Sequence, residues 1–315
     1  NNFYTATVYE KGAKVIRMLH TVLGEEKFRH AMDRYFATFD GQAVGTEEFL
    51  WAMQSESPVD LSQFKRWYSQ ERTPTLAVSA SYEGETKRLT MRIEQKIPKN
   101  TRNEEQFPYA MPLKIALLRE DGTEYRIKTS DVTLLHGGVL WIDKGVSEIV
   151  FEAIDAAPRL SLNRNFSAPV MVECDGIDYP FLMARESDGF VRYEAAHRFG
   201  IETIEAMMRG ETVDERFIES YGEMVRDETI DPMFKAQLLE LPSITTLMQR
   251  QERIDVHAIV DAQETLKRAL ASRYAALLRT QIEGLFDPSC SAVDGASMGK
   301  RALKNRLLGL LMSLQ

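Results

Sequence analysis

The chain has 315 residues, a formal net charge of −8 and 44% hydrophobic residues, enough for about two domains with sizeable cores. No region concentrates Lys and Arg, which excludes nucleic acid as the main partner, because binding phosphates needs clustered positive charge. No apolar run approaches the ~18–20 residues of a membrane span, so no membrane partner is expected; two distant cysteines, Cys174 and Cys290, without a secretory signal point to a reducing cytoplasm.

Helical periodicity begins almost at the first residue. Across residues 2–23, Val8, Gly12, Val15, Leu19 and Val22 recur at spacings of four and three, predicting a helix that stops at Gly24. Residues 25–39 continue the pattern with Phe28, Met32, Tyr35 and Phe36 before Asp40-Gly41. Thr46 reads as the N-cap of a short helix carrying Phe49, Leu50 and Met53, with Glu47 and Glu48 in its electropositive first turn. Asp60 reads as the cap of another, with Leu61, Phe64 and Trp67 inward. Residues 1–72 are expected to be a compact helical segment.

At Thr73-Pro74 the period changes to two. Leu76, Val78, Ala80 and Tyr82 alternate, then Leu89, Met91 and Ile93, then Leu113, Ile115 and Leu117. Asp121-Gly122 is a hairpin signal, because glycine supplies the positive φ such turns need. Ile149, Phe151 and Ala153, Leu160 and Leu162, and Val170 and Val172 follow, while Gln95 to Gln106 reads as a polar loop. About seven short strands without intervening helices predict an antiparallel β-sandwich over residues 73–175. From Tyr179 the period returns to 3.6. The stripes are Tyr193, His197, Ile201, Ile204 and Met208, then Phe217, Tyr221 and Met224, then Phe234, Leu238 and Leu241. Asp255 reads as the cap of a long helix to Leu285, and Leu303, Leu307, Leu308 and Leu311 mark a last amphipathic helix. Residues 176–315 are therefore expected to be stacked helices, solenoid-like in character. The start at Asn1 and the unterminated last helix favour an internal piece of a longer protein.

Residue chemistry alone finds no active site. The histidines are His20, His30, His136, His197 and His257; none precedes a Glu and none pairs at helical spacing, so there is no H-E-x-x-H zinc site, and no CxxC exists. Gly295-Ala296-Ser297-Met298-Gly299 matches the nucleophile-elbow pattern, but no strand precedes it and no histidine follows it, so a glycine-rich interhelical loop is expected. His197 is expected to be a packed, hydrogen-bonded core histidine. Asn165-Phe166-Ser167 matches a glycosylation sequon, which carries little weight without a secretory signal.

A resemblance supplies more. The runs Asn1-Asn2-Phe3-Tyr4-Thr5, Thr7-Val8-Tyr9-Glu10-Lys11-Gly12-Ala13 and Val15-Ile16-Arg17-Met18 resemble the bacterial aminopeptidase N family of thermolysin-like zinc aminopeptidases. The likeness continues through Leu23-Gly24-Glu25-Glu26, Asp60-Leu61-Ser62 and Arg66-Trp67-Tyr68-Ser69-Gln70, and returns at Phe166-Ser167-Ala168-Pro169-Val170, Met183-Ala184-Arg185 and Ile230-Asp231-Pro232. It implies an α+β multidomain architecture. Residues 1–72 would be the helical end of the catalytic domain, 73–175 the β-sandwich and 176–315 the start of the helical C-terminal domain.

The resemblance also implies zinc in the full-length parent and none bound by this chain, because the family's zinc motif, third ligand and amine-binding loop precede Asn1. Peptide substrates, a cytoplasmic monomer and docking with the missing N-terminal and catalytic segments follow on the same ground. By the same likeness Tyr9 falls on the family's catalytic tyrosine, which donates its phenol proton to the oxyanion of the tetrahedral intermediate. A phenol can play that part, because it carries its proton at neutral pH. Asn1 and Tyr4 fall on positions lining the pocket for the substrate's first side chain. The competing expectation is a non-catalytic peptide-binding or scaffold module. The intact Val8-Tyr9-Glu10-Lys11-Gly12 run favours the enzyme, because such a module has no need of it.

Overall fold

The structure, a computed structural model, describes residues 7–286 and 292–314. The chain forms two compact units, residues 1–177 and 178–315.

In the first unit a π-helical turn, Thr7–Lys11, runs directly into α1 (Gly12–Leu23). Val15, Met18, Leu19, Val22 and Leu23 form its buried face. Gly24 ends the helix with φ +77°, and a Cβ there would approach His136 Nε2 at 3.3 Å, so both backbone and space call for glycine. Next come α2 (Glu25–Phe39), α3 (Thr46–Gln54) and a 3-10 turn, Gln63–Lys65, that leads into α4 (Arg66–Ser69). The cap of α3 is Gly45 rather than Thr46: Glu48 reaches back to accept the Gly45 N–H at 2.9 Å, leaving Thr46 as the first helical residue. Asp60 accepts from the N–H and hydroxyl of Ser62, closing a local turn before the 3-10 segment.

The strands are β1 (Thr75–Glu83), β2 (Arg88–Lys96), β3 (Met111–Leu118), β4 (Val139–Ile142), β5 (Val146–Phe151), β6 (Arg159–Leu162) and β7 (Met171–Cys174). They make two sheets, in the orders β5-β2-β1-β7 and β4-β3-β6. Pairing is antiparallel except that β7 runs parallel to β1, with Thr75 opposite Met171. The alternating residues face inward: Leu76, Val78, Leu89, Met91, Ile93, Ile149 and Phe151 meet Leu113, Ile115, Leu140 and Ile142. β3 is buried on both faces because α1 lies against it, which is why Ala116 and Leu118 are apolar as well. Gln95 and Lys96 belong to β2 and not to a loop. The buried Gln95 amide accepts from Tyr109 N–H at 2.9 Å and donates to Tyr109 O at 2.7 Å, a polar clamp that period counting does not detect.

One apolar core runs from the helices into the sandwich. The Arg66-Trp67-Tyr68-Ser69-Gln70 run makes the joint. Trp67 Nε1 donates to Ala110 O at 2.7 Å, with its ring centroid 4.4 Å from that of Tyr109. Arg66 donates to Pro108 O, and Gln70 exchanges two 2.9 Å hydrogen bonds with the Phe107 backbone. The buried Ala110 carbonyl would otherwise lack a partner, a cost of about 1–3 kcal/mol.

The second unit is helical: α5 (Tyr179–Arg185), α6 (Gly189–Met208), α7 (Glu215–Arg226), α8 (Pro232–Leu238), α9 (Ile244–Gln249), α10 (Val256–Gly284) and α11 (Gly295–Leu311). Asp178, Asp188, Asp214, Asp231, Ser243, Asp255 and Asp294 cap them, each accepting a first-turn N–H. The glycine-rich run 295–299 is thus the first turn of α11 and not a loop, with Asp294 accepting from Ser297 N–H at 2.9 Å. Gly299 lets α11 close on α8, since a Cβ would lie 2.9 Å from Met233 N. In α6 Ile201 and Ile204 are buried as expected, but the first half of the helix buries Val191, Ala195, Ala196 and Phe199 in place of Tyr193 and His197. His197 is half-buried rather than in the core, stacked on the exposed Tyr193 with centroids 5.8 Å apart. α10 breaks its helical geometry at Tyr274 (φ −118°, ψ 17°), where the ring enters α7 beside Gly222 and donates to Ile218 O at 3.0 Å.

Candidate functional site

The residue singled out from sequence sits at the head of α1. Tyr9 lies in the π turn and is 58% exposed, at the head of a helix fixed by its buried face. Single π turns interrupting or opening α-helices widen the backbone by one residue per turn and are frequent at functional sites. Glu10 is exposed beside it, and Lys11 is half-buried, with burial pushing its ammonium below the ordinary lysine value. Asn1 and Tyr4 lie outside the described residues, as does Cys290.

A second element adjoins α1 that sequence reasoning did not single out for a role. Between β6 and β7 the backbone passes through Asn163 (φ 56°), Asn165 (φ 56°) and Phe166 (φ 50°), all left-handed. Asparagine tolerates that region; a phenylalanine there is a genuine outlier, costing of order ~1 kcal/mol or more. Neighbouring bonds hold it. The buried Asn163 side chain takes hydrogen bonds from Ala168 N–H and Ser167 Oγ, both 3.0 Å, and Ser167 Oγ accepts Lys114 N–H of β3 at 2.8 Å. The buried Arg164 guanidinium pairs with Glu124 at 2.6 Å. The only sequence signal was Phe166-Ser167-Ala168-Pro169 within the resemblance, which marks the place and not the conformation.

The described residues do not fit a zinc ion. Among the described residues no three His, Cys, Asp or Glu side chains gather as metal ligands. His20 lies edge-on to Phe28 at 5.1 Å, His136 is against Gly24, His197 stacks on Tyr193, and His30 and His257 are exposed on separate helices. The described helices include none long and apolar enough to cross a membrane.

Family profiles match nearly the whole length in three consecutive pieces. Residues 1–68 match the peptidase family M1 domain, residues 72–175 a domain of unknown function with an Ig-like fold (DUF3458), and residues 177–315 its companion described as ARM repeats (DUF3458_C). The chain is 34% identical to aminopeptidase N of Escherichia coli over 99% of its length, and 34% identical to that of Caulobacter vibrioides over 97%. The chain is thus similar over nearly all of its length to bacterial aminopeptidase N, and its first 68 residues carry the peptidase family M1 match. It spans about a third of the length of those curated relatives, 36% and 35%. A solved Legionella pneumophila aminopeptidase A, crystallised with aspartic acid, superposes with a TM-score of 0.83 at 25% identity, covering 99% of this chain and 36% of that one. This likeness accords with the α+β architecture, a helical lead-in followed by an Ig-like sandwich and an ARM-like helical array.

Proposed function

We propose that this chain is a segment of a zinc metallo-aminopeptidase that releases N-terminal residues from peptides in the cytoplasm, and that its own contribution to the chemistry is Tyr9. The observation that carries the reading is the placement of Tyr9: an exposed phenol on a π turn, in the Val8-Tyr9-Glu10-Lys11-Gly12 run of a chain similar to aminopeptidase N. Zinc would be held by residues outside this chain, since the described residues make no ligand cluster. The chain alone is proposed to be inactive, and Asn1 and Tyr4 to line the pocket for the first side chain of the substrate.

Peptide hydrolysis develops negative charge on the carbonyl oxygen as the tetrahedral intermediate forms. A phenol O–H aimed at that oxygen stabilises the charge without forming a comparable bond in the ground state, so it lowers the barrier more than it tightens substrate binding. In the full-length protein, Tyr9→Phe is expected to lower kcat about 10²–10³-fold with little change in KM. The ring is exposed and retained, so the melting temperature should not move. A kcat within about threefold of wild type would make Tyr9 a surface aromatic and refute the assignment.

A further inference from the structure

Tyr9 can serve an oxyanion only if the turn that carries it is held in register. The buried face of α1 fixes the helix on one side only. On its exposed side Lys14 and Arg17, one helical turn apart and so neighbours on the surface, both meet the left-handed turn between β6 and β7. Arg17 Nη2 donates to Asn165 Oδ1 at 2.6 Å, and the Lys14 ammonium sits 5.2 Å from the centroid of the Phe166 ring, within cation–π reach. Asn165, exposed, and Phe166, half-buried, both have left-handed backbone, while Asn163, Arg164 and Ser167 tie the other side of the loop into β3 and Glu124. A connection between two strands has no need of a phenylalanine at φ 50°; a loop that must aim two side chains at a helix does.

We propose that the turn 163–166 is a brace for the active site: Asn165 and Phe166 are positioning residues that hold Arg17 and Lys14. They thereby fix the rotation and axial register of α1, and with it the direction of the Tyr9 phenol. The contacts lie about 8–12 Å along the helix from Tyr9, five to eight residues at ~1.5 Å each. That distance is short enough for a slide of the helix to reach the phenol nearly undiminished. A misplacement of about 1 Å at a reacting centre can cost on the order of 10²-fold in rate. The inference rests on the proposed role of Tyr9.

The test uses the full-length protein with Arg17→Gln, Asn165→Gly and Asn165→Asp, each alone and combined with Tyr9→Phe. Glycine keeps access to positive φ while removing the amide, and aspartate keeps both the acceptor and the tolerance of that backbone. Arg17→Gln and Asn165→Gly are expected to lower kcat about tenfold, with KM and melting temperature near wild type, and Asn165→Asp to retain wild-type activity. In the Tyr9→Phe background the first two should add less than about twofold, because a brace acting through the phenol has nothing left to position. Equal fold losses in both backgrounds, or no loss in either, would overturn the brace alone. An unchanged kcat for Tyr9→Phe by itself would overturn the role of Tyr9 and the brace with it. In the 315-residue chain, Asn165→Gly should also speed amide hydrogen exchange of residues 9–14 and leave β1 and β2 unchanged; unaltered exchange at residues 9–14 would overturn the brace without reference to activity.

Discussion

Gly222→Ala places three effects of known sign at one position. The glycine faces Tyr274 across α7 and α10, and an added Cβ would lie 2.3 Å from both Cζ and Oη of the ring and 2.7 Å from Cε1. No carbon contact is tolerated at that distance, and the ring is 7% exposed, so it must be displaced through packed core. Overpacking of this kind costs about 1–3 kcal/mol. Displacement also breaks the Tyr274 hydroxyl bond to Ile218 O, worth about 1 kcal/mol. Alanine returns about 1 kcal/mol in helix propensity. The last two cancel, and the substitution should destabilise the helical unit by about 1–3 kcal/mol, lowering its melting temperature by roughly 3–10 °C. Calorimetry of the 315-residue chain, with ellipticity at 222 nm to follow the helices, measures it. With Tyr274→Ala as background the clash is gone, and Gly222→Ala should become stabilising by about 1 kcal/mol. A wild-type background in which Gly222→Ala raises the melting temperature, or equal effects in the two backgrounds, would show that the Gly222–Tyr274 contact does not set the α7–α10 packing.

Two further outcomes follow from the charge and ligand chemistry. Burial pulls the Asp227 carboxyl upward, but hydrogen bonds from the Thr229 hydroxyl and amide and from Arg192 outweigh it and hold the group below its ordinary value of 3.8. A carboxyl depressed in the folded state contributes stability in full above its unfolded pKa, and loses it as pH falls through the folded one. The stability difference between wild type and Asp227→Asn should therefore be constant above about pH 5 and shrink below about pH 4; thermal melts from pH 7 to 2 that keep a constant gap would contradict it. The 315-residue chain, supplied with zinc, should not turn over alanyl or arginyl chromogenic substrates, and zinc-dependent release well above a buffer control would reverse that expectation.

Elements with a strong period were readable in the sequence and elements set by single contacts were not. The alternation of Leu89, Met91 and Ile93 places β2 because one face of the strand is buried. Gln95, two residues on, reads as loop because a polar residue at an inward position looks like the end of a strand, whereas its pairing with Leu76 and its bonds to Tyr109 keep it in β2. The α6 stripe holds at Ile201 and Ile204 and fails in its first half, because Tyr193 and His197 fit the helical spacing but stack on each other toward the surface. Asp255 was recognised as a cap from its place before a long periodic run; Asp188 and Asp214 carry the same chemistry and were passed over. At the candidate site a family likeness points to Tyr9, and the stripe of Val8, Gly12, Val15, Leu19 and Val22 does not include it. The partners of α1 in the 163–166 turn lie nearly 150 positions away, where no local pattern points back to Lys14 or Arg17.

The single parallel pair in the sandwich has a kinetic meaning. β7 completes the sheet beside β1, so the contact of Thr75 with Met171 closes a loop of roughly 100 residues and cannot form until the whole domain has been synthesised. Until then β1 presents an open edge and the core shared with α1 and α4 is missing one wall. The helical unit has a shorter wait of the same kind, because α8 packs on α11 roughly 60 residues downstream and α6 packs on α10. A polypeptide stalled shortly before Met171 is thus expected to be the species most in need of a chaperone, and one released a few turns later to fold unaided.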